Sequence, residues 1–198
     1  ELFSVEVQSL GIHARSLIVV YDRIGIFSAP RAWWMFRAMG HTQVAVLDGG
    51  LPAWLAAGHP VESETAYAGP RGDFIARLQP GLFCDADRVA AELSSGRRPV
   101  VDARSAARFA GLEPEPRAGL RAGHMPGALN LPFGQLQQGG KMKSAAELQA
   151  EFARVLGEQQ APIFSCGSGV TACILALGAE LAGYQGLTVY DGSWSEWG

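Results

Sequence analysis

The run Phe164-Ser165-Cys166-Gly167-Ser168-Gly169-Val170-Thr171-Ala172 puts a cysteine directly after a short apolar stretch and directly before a longer one. If the first stretch is a strand and the second a helix, the thiol stands where open α/β sheets bind ligands, against unpaired N–H groups and the positive end of a helix dipole. A thiolate is stabilised in such a place and is a nucleophile. Gly167 and Gly169 let the chain curl around the sulfur, because glycine accepts positive φ and leaves room for close approach. Ser168 and Thr171 offer hydroxyls that suit either sulfur and proton handling or plain helix capping. The bland alternative for Cys166 is a buried packing cysteine, which would not need flanking glycines. Cys173, inside the expected helix, and Cys84, ahead of another, read as packing residues.

The elements that would position this loop alternate as βα units, the pattern of a mostly parallel sheet. Strands are expected at 17–21, 44–47, 100–102, 163–165 and 187–190, and helices at 30–39, 85–94, 145–156 and 170–182. Gly40, Gly96 and Gly183 mark helix ends. A faint internal repeat relates the segment from Ile18 to Trp54 to the segment from Pro162 to Trp197, and Asp22 stands where the second copy has Cys166. The expected organisation is the latter part of one domain over 1–57, a linker over 58–81 and a thiol-bearing domain over 82–198. The first domain is expected to be truncated at its N-terminus.

Composition excludes several functions. The chain has 16 basic and 19 acidic residues, well mixed, for a net charge of -3, which leaves no nucleic-acid or polybasic membrane footprint. No apolar run approaches the roughly 20 residues of a membrane span, and the start lacks a leader pattern, so a cytoplasmic protein is expected. Three cysteines without a CxxC pair argue against a disulfide scaffold or a zinc site.

The loop 166–171 (CGSGVT), the segment 123–133 (GHMPGALNLPF), the run 113–117 (EPEPR) and the ending 190–197 (YDGSWSEW) together resemble the tandem-domain rhodanese-like sulfurtransferases, most closely their mercaptopyruvate branch. APRAWWMFRAMGH followed by LDGG looks like the latter part of that family's first, non-catalytic domain. The resemblance implies a rhodanese-like α/β fold of two related domains. It also implies Cys166 as the nucleophile that carries sulfur as a persulfide, Ser168 as a catalytic partner, and no cofactor or metal. Arg108 and Arg117 would bind the substrate, with Gly167, Gly169, Val170 and Thr171 completing its cradle. The implied partners are a small sulfur donor and a thiol acceptor, with thioredoxin, another small thiol and cyanide all fitting.

Loops of the family that favour thiosulfate resemble CRKGVT, whereas this chain has Gly167 and Ser168 at the basic positions, which suits a less charged donor such as mercaptopyruvate. Thiosulfate transfer and a non-catalytic persulfide-binding module remain alternatives. A related cysteine phosphatase would need arginine at the sixth position after the cysteine, where this chain has Ala172. Arg104 and Arg121 read as surface residues or partners of Glu113 and Glu115. His124 reads as a structural hydrogen-bonding residue, and Trp194 and Trp197 as packing beside the loop.

Overall fold

The branched runs become strands and the 3.6-periodic runs become helices, in a computed structural model that describes residues 1–63 and 67–198. The first segment contains α1 (Leu2–Ser9), β1 (Ile18–Val20), α2 (Ala29–Ala38), β2 (Val44–Val46) and α3 (Gly50–Ala56). The second opens with β3 (Phe83–Cys84), α4 (Ala86–Ser95), β4 (Val100–Asp102), α5 (Ala106–Phe109) and β5 (Leu129–Asn130). A 3₁₀ turn at Phe133–Leu136 and a hairpin of β6 (Gln137–Gln138) and β7 (Lys141–Met142) follow. The chain closes with α6 (Ala145–Leu156), β8 (Ile163–Ser165), α7 (Ala172–Leu181), β9 (Thr188–Tyr190) and α8 (Ser193–Trp197).

The main sheet has the order β3-β9-β8-β4-β5 with every pairing parallel. Each residue of β4, β8 and β9 is buried, as expected of strands covered on both faces. β1 and β2 form a separate parallel pair. The order strand, loop, helix, parallel strand thus occurs in β1-α2-β2 and again in β8-α7-β9.

Helix ends follow local chemistry. Ser144 and Glu147 form a capping box at the start of α6, Asp85 accepts from Arg88 N at the start of α4, and Gly96 closes that helix in the left-handed conformation. The sequence did not signal α1, α3, α5 or α8 as helices. The helix expected from Val170 begins two residues later, because the glycine-bearing loop continues through Thr171.

Eight of the ten residues of α7 are buried, from Ala172 to Ala179. A Cβ on Gly178 would stand 2.9 Å from Leu136 Cδ1, so this helix lies tight against its neighbours. One apolar cluster runs from Trp33 and Trp34 on α2 through α7 to Leu148 and Phe152 on α6 and Phe164 on β8. Truncating a fully buried aromatic such as Phe152 to alanine costs about 3–5 kcal/mol. The first segment is therefore fixed against the helix that follows the Cys166 loop.

The described part of the 58–81 stretch has no helix or strand, yet it is tied down. Gly72 N donates to Gln8 O at 2.8 Å, Arg77 N to Met39 O at 2.9 Å and Gln79 N to Ala38 O at 2.7 Å, while Phe74 is buried beside Val7 and Phe36. Its middle, residues 64–66, lies outside the described residues.

Candidate active site

β8 ends at Ser165 and α7 begins at Ala172, so residues 166–171 form the turn at the carboxyl end of the sheet. Cys166 is 1% exposed and belongs to the floor of a cleft of about 260 Å³. The other lining residues are Phe27, Arg108, Glu115, Pro116, Arg117, Leu120, Gly167, Ser168, Val170, Thr171 and Ser195. Hollows of about 590 and 710 Å³ lie elsewhere, but neither brings a cysteine together with a glycine-rich loop.

The loop's peptides are turned by the segment after β9. Cys166 O accepts from Trp194 N at 2.9 Å, and Gly167 O accepts from Ser195 N at 2.9 Å and from Ser195 Oγ at 2.7 Å. In a planar trans peptide the C=O and the following N–H point in opposite directions. Anchoring those two oxygens therefore turns the N–H groups of Gly167 and Ser168 the other way. Among the described residues, the N–H groups of residues 167–171 meet no protein acceptor. They are donors free for an anion at the helix start.

Ser193 is a site residue that the sequence reading missed. It is fully buried, accepts from Cys166 N at 3.1 Å, donates to Tyr190 O at 2.8 Å and has its Oγ 4.0 Å from Cys166 Sγ. Its φ of +51° is unusual for a residue with a Cβ. The repeat held a signal for it. VLDGG and VYDGS align Ser193 with Gly50, whose φ is +56°, so a serine occupies a turn position that favours glycine.

The arginines form a ladder. Arg104 is 1% exposed, clamped on both oxygens of Asp102 and on Glu115 Oε1 at 2.7 Å, with its guanidinium 4.5 Å from the Trp194 ring centre. A surface position for Arg104 is thus corrected: it is buried and partners Glu115. Arg108 also binds Glu115, through Nε at 3.2 Å and Nη2 at 2.5 Å, and its Nη2 lies 3.1 Å from where a Cβ on Gly167 would stand. Arg117 Nη1 donates to Ser195 Oγ at 2.8 Å. Burial alone would raise the Glu115 carboxyl, but the hydrogen bonds and charges of Arg108 and Arg104 hold it below the usual range. Two guanidiniums (Arg108, Arg117) and one carboxylate (Glu115) line the cleft, leaving one net positive charge.

Cys166, Gly167, Ser168, Val170, Thr171, Arg108 and Arg117 are all brought to this cleft. Gly169 is buried and does not line the cleft, and its φ is +75°. Thr171 stands at the N-cap of α7 without a capping side-chain bond, so the capping alternative does not describe it. His124 bonds Phe109 O through Nδ1 at 2.8 Å and stacks on the Phe109 ring, a structural role. Trp194 packs beside the loop, Trp197 lies against the neighbouring core, and the exposed Arg121 donates to Trp197 O. Burial pushes the Cys173 thiol up to about 12 and the Cys84 thiol up to about 11, so both stay protonated near neutral pH.

The first copy of the repeat has its own filled cradle. Asp22 Oδ2 accepts from Phe27 N at 2.7 Å and Ala29 N at 2.8 Å, and Oδ1 accepts from Ser28 N at 3.0 Å and from the Ser28 hydroxyl. Burial works against ionisation there, and the hydrogen bonds from Ser28, Phe27 and Ala29 outweigh it and lower the carboxyl. A strand-to-helix turn of this kind thus holds an anion.

The model of the rhodanese-like domain matches residues 3–57 and 85–198, covering the Asp22 turn and the Cys166 turn alike. The chain belongs to the rhodanese-like family. It is 45% identical over 193 residues to 3-mercaptopyruvate sulfurtransferase of Rattus norvegicus, covering 96% of this chain and 65% of the rat protein. It is also 46% identical over 200 residues to thiosulfate sulfurtransferase of Cricetulus griseus, covering 98% of this chain and 67% of that protein. The crystal structure of the 3-mercaptopyruvate sulfotransferase SseA from Escherichia coli superposes with a TM-score of 0.86 at 39% identity, over 99% of this chain and 73% of that one. The fold is the rhodanese fold, and this rhodanese-like chain spans about two thirds of the length of the relatives it matches.

Proposed function

We propose that the chain is a sulfurtransferase that moves sulfur from 3-mercaptopyruvate to a thiol acceptor through a persulfide on Cys166. The observation that carries the choice of donor is the cleft's single net positive charge above the Cys166 turn. Mercaptopyruvate brings one carboxylate, which two guanidiniums can grip while Glu115 balances one of them. Thiosulfate brings two negative charges, and the loop positions 167 and 168 supply no cation.

In the first half-reaction the Cys166 thiolate attacks the substrate sulfur, forming an S–S bond as the C–S bond breaks. The electron pair goes to carbon as the enolate of pyruvate, which takes a proton and leaves. Ser168, exposed at the cleft rim, is the hydroxyl we assign to that proton step. In the second half-reaction an acceptor thiolate attacks the outer sulfur and Cys166 departs as thiolate. The free N–H groups of the loop stabilise anionic sulfur in both steps. Thioredoxin or a small thiol fits as acceptor, and free cysteines suit a reducing compartment such as the cytoplasm.

The test is the intact mass of the folded protein after mixing with mercaptopyruvate. The expected result is a gain of one sulfur atom that a reducing thiol removes and that Cys166→Ser does not show. A folded protein that gains no sulfur from mercaptopyruvate or thiosulfate overturns the proposal. Faster loading from thiosulfate overturns the choice of donor alone.

A further inference from the structure

Asp22 leaves the first segment with no thiol of its own, yet one of its side chains reaches the Cys166 turn. Arg31, in the first turn of α2, places Nη1 2.5 Å from Asp191 Oδ1 and 3.4 Å from Gly169 O. Its guanidinium lies 5.3 Å from the Phe83 ring centre, and its side chain is 23% exposed. Gly169 O also accepts from Cys173 Sγ at 3.3 Å. The site around Gly169 is crowded on that side. A Cβ there would stand 2.7 Å from Asp191 O, 2.9 Å from Asp191 Oδ1 and 3.2 Å from Arg31 Nη1.

Three carbonyls of the turn are thus bonded away from the cleft. The Cys166 and Gly167 oxygens go to Trp194 and Ser195, within the thiol-bearing half. The Gly169 oxygen goes to Arg31, across to the other half, and to Cys173. By the antiparallel geometry of a trans peptide, holding the Gly169 oxygen outward turns the Val170 N–H inward. Val170 lines the cleft and its N–H meets no protein acceptor among the described residues.

We infer that Arg31 is a positioning residue for sulfur transfer: through Gly169 O it aims the Val170 N–H at the sulfur carried by Cys166. The assignment rests on the sulfurtransferase reading above. It explains why Gly169 departs from the cleft lining while its neighbours do not, and it gives the thiol-free half a part in the chemistry. Asp191 holds Arg31 in place, and Arg31 does not line the cleft, so it orients a donor without binding the substrate.

The experiment is single-turnover loading of Cys166 by mercaptopyruvate at a series of concentrations, comparing wild type with Arg31→Met, Arg31→Lys and Asp191→Asn. Methionine keeps the packing over Phe83 and removes the donor. The expected result is a maximal loading rate constant roughly 10- to 100-fold lower in Arg31→Met, less than the 10²–10³ typical of deleting an oxyanion donor outright. The half-saturating concentration should change by less than about twofold, because binding common to ground and transition states is untouched. Arg31→Lys recovers part of the rate, and Asp191→Asn shows a smaller loss, so the prediction stands even if the methionine variant folds poorly.

A merely structural role would lower the amount of reactive protein without changing the rate constant of the folded fraction. An unchanged rate constant in Arg31→Met, or a raised half-saturation at unchanged rate, overturns the assignment while leaving the sulfurtransferase reading intact. Wild-type protein that takes up no sulfur overturns both.

Discussion

Glu115, with 1% of its side chain exposed, grips Arg108 through two contacts of 3.2 and 2.5 Å. A buried carboxylate thereby sets the position of a cleft guanidinium and takes one unit from the charge the substrate meets.

The first prediction concerns donor choice. Glu115→Gln keeps the shape and raises the cleft's net charge from one to two. Loading from thiosulfate relative to mercaptopyruvate should rise on the order of tenfold, the effect of one unit charge several ångströms away in a partly screened site. Initial rates with the two donors check it, and an unchanged ratio would remove charge as the basis of donor choice. Because a partner is taken from the buried Arg104 and the partly buried Arg108, the variant should also lose about 2–4 kcal/mol of stability.

The second concerns pH and the first segment. Asp22 has a lowered carboxyl in the folded state, so its contribution is present above the unfolded value, near 3.8, and disappears as pH falls through the lower folded value. Asp22→Asn must turn its NH₂ either toward the N–H groups of Phe27 and Ala29 or toward the N–H and hydroxyl of Ser28. It should cost about 2–4 kcal/mol at pH 7, from charge-assisted hydrogen bonds lost and N–H groups left unpaired. The difference from wild type should shrink below pH 3. Urea midpoints at pH 7 and pH 3 measure both, and a pH-independent difference would contradict the anion-cradle account.

The third concerns selectivity among the thiols. At pH 8 a thiol near 11 is ionised to about one part in a thousand and one near 12 to about one in ten thousand, and the thiolate is the reacting form. Brief exposure of the folded protein to a small alkylating agent should therefore spare Cys84 and Cys173. Peptide mapping reads this, and modification of Cys173 ahead of Cys166 would refute the assignment of the nucleophile.

Local order fixed much of this molecule. A branched run, a cysteine between glycines and an apolar helical run are near neighbours in the chain, so the Cys166 turn, the parallel βα pattern and the stops at Gly40, Gly96 and Gly183 could be read from residue types alone. Asp22 could be aligned with Cys166 for the same reason, since a repeat preserves order. Tertiary structure alone decided which distant groups meet that turn. Arg104 and Arg108 are four residues apart and look alike in sequence, yet one is sealed under Trp194 and the other lines the cleft. Ser193, Ser195 and Arg31 reach the loop only because β9 pairs with β8 and α2 packs on α7. Periodicity reports which face of an element is apolar. It carries no information about which side chains, from 27 or 138 residues away, will take a carbonyl of the loop or stand beside its sulfur.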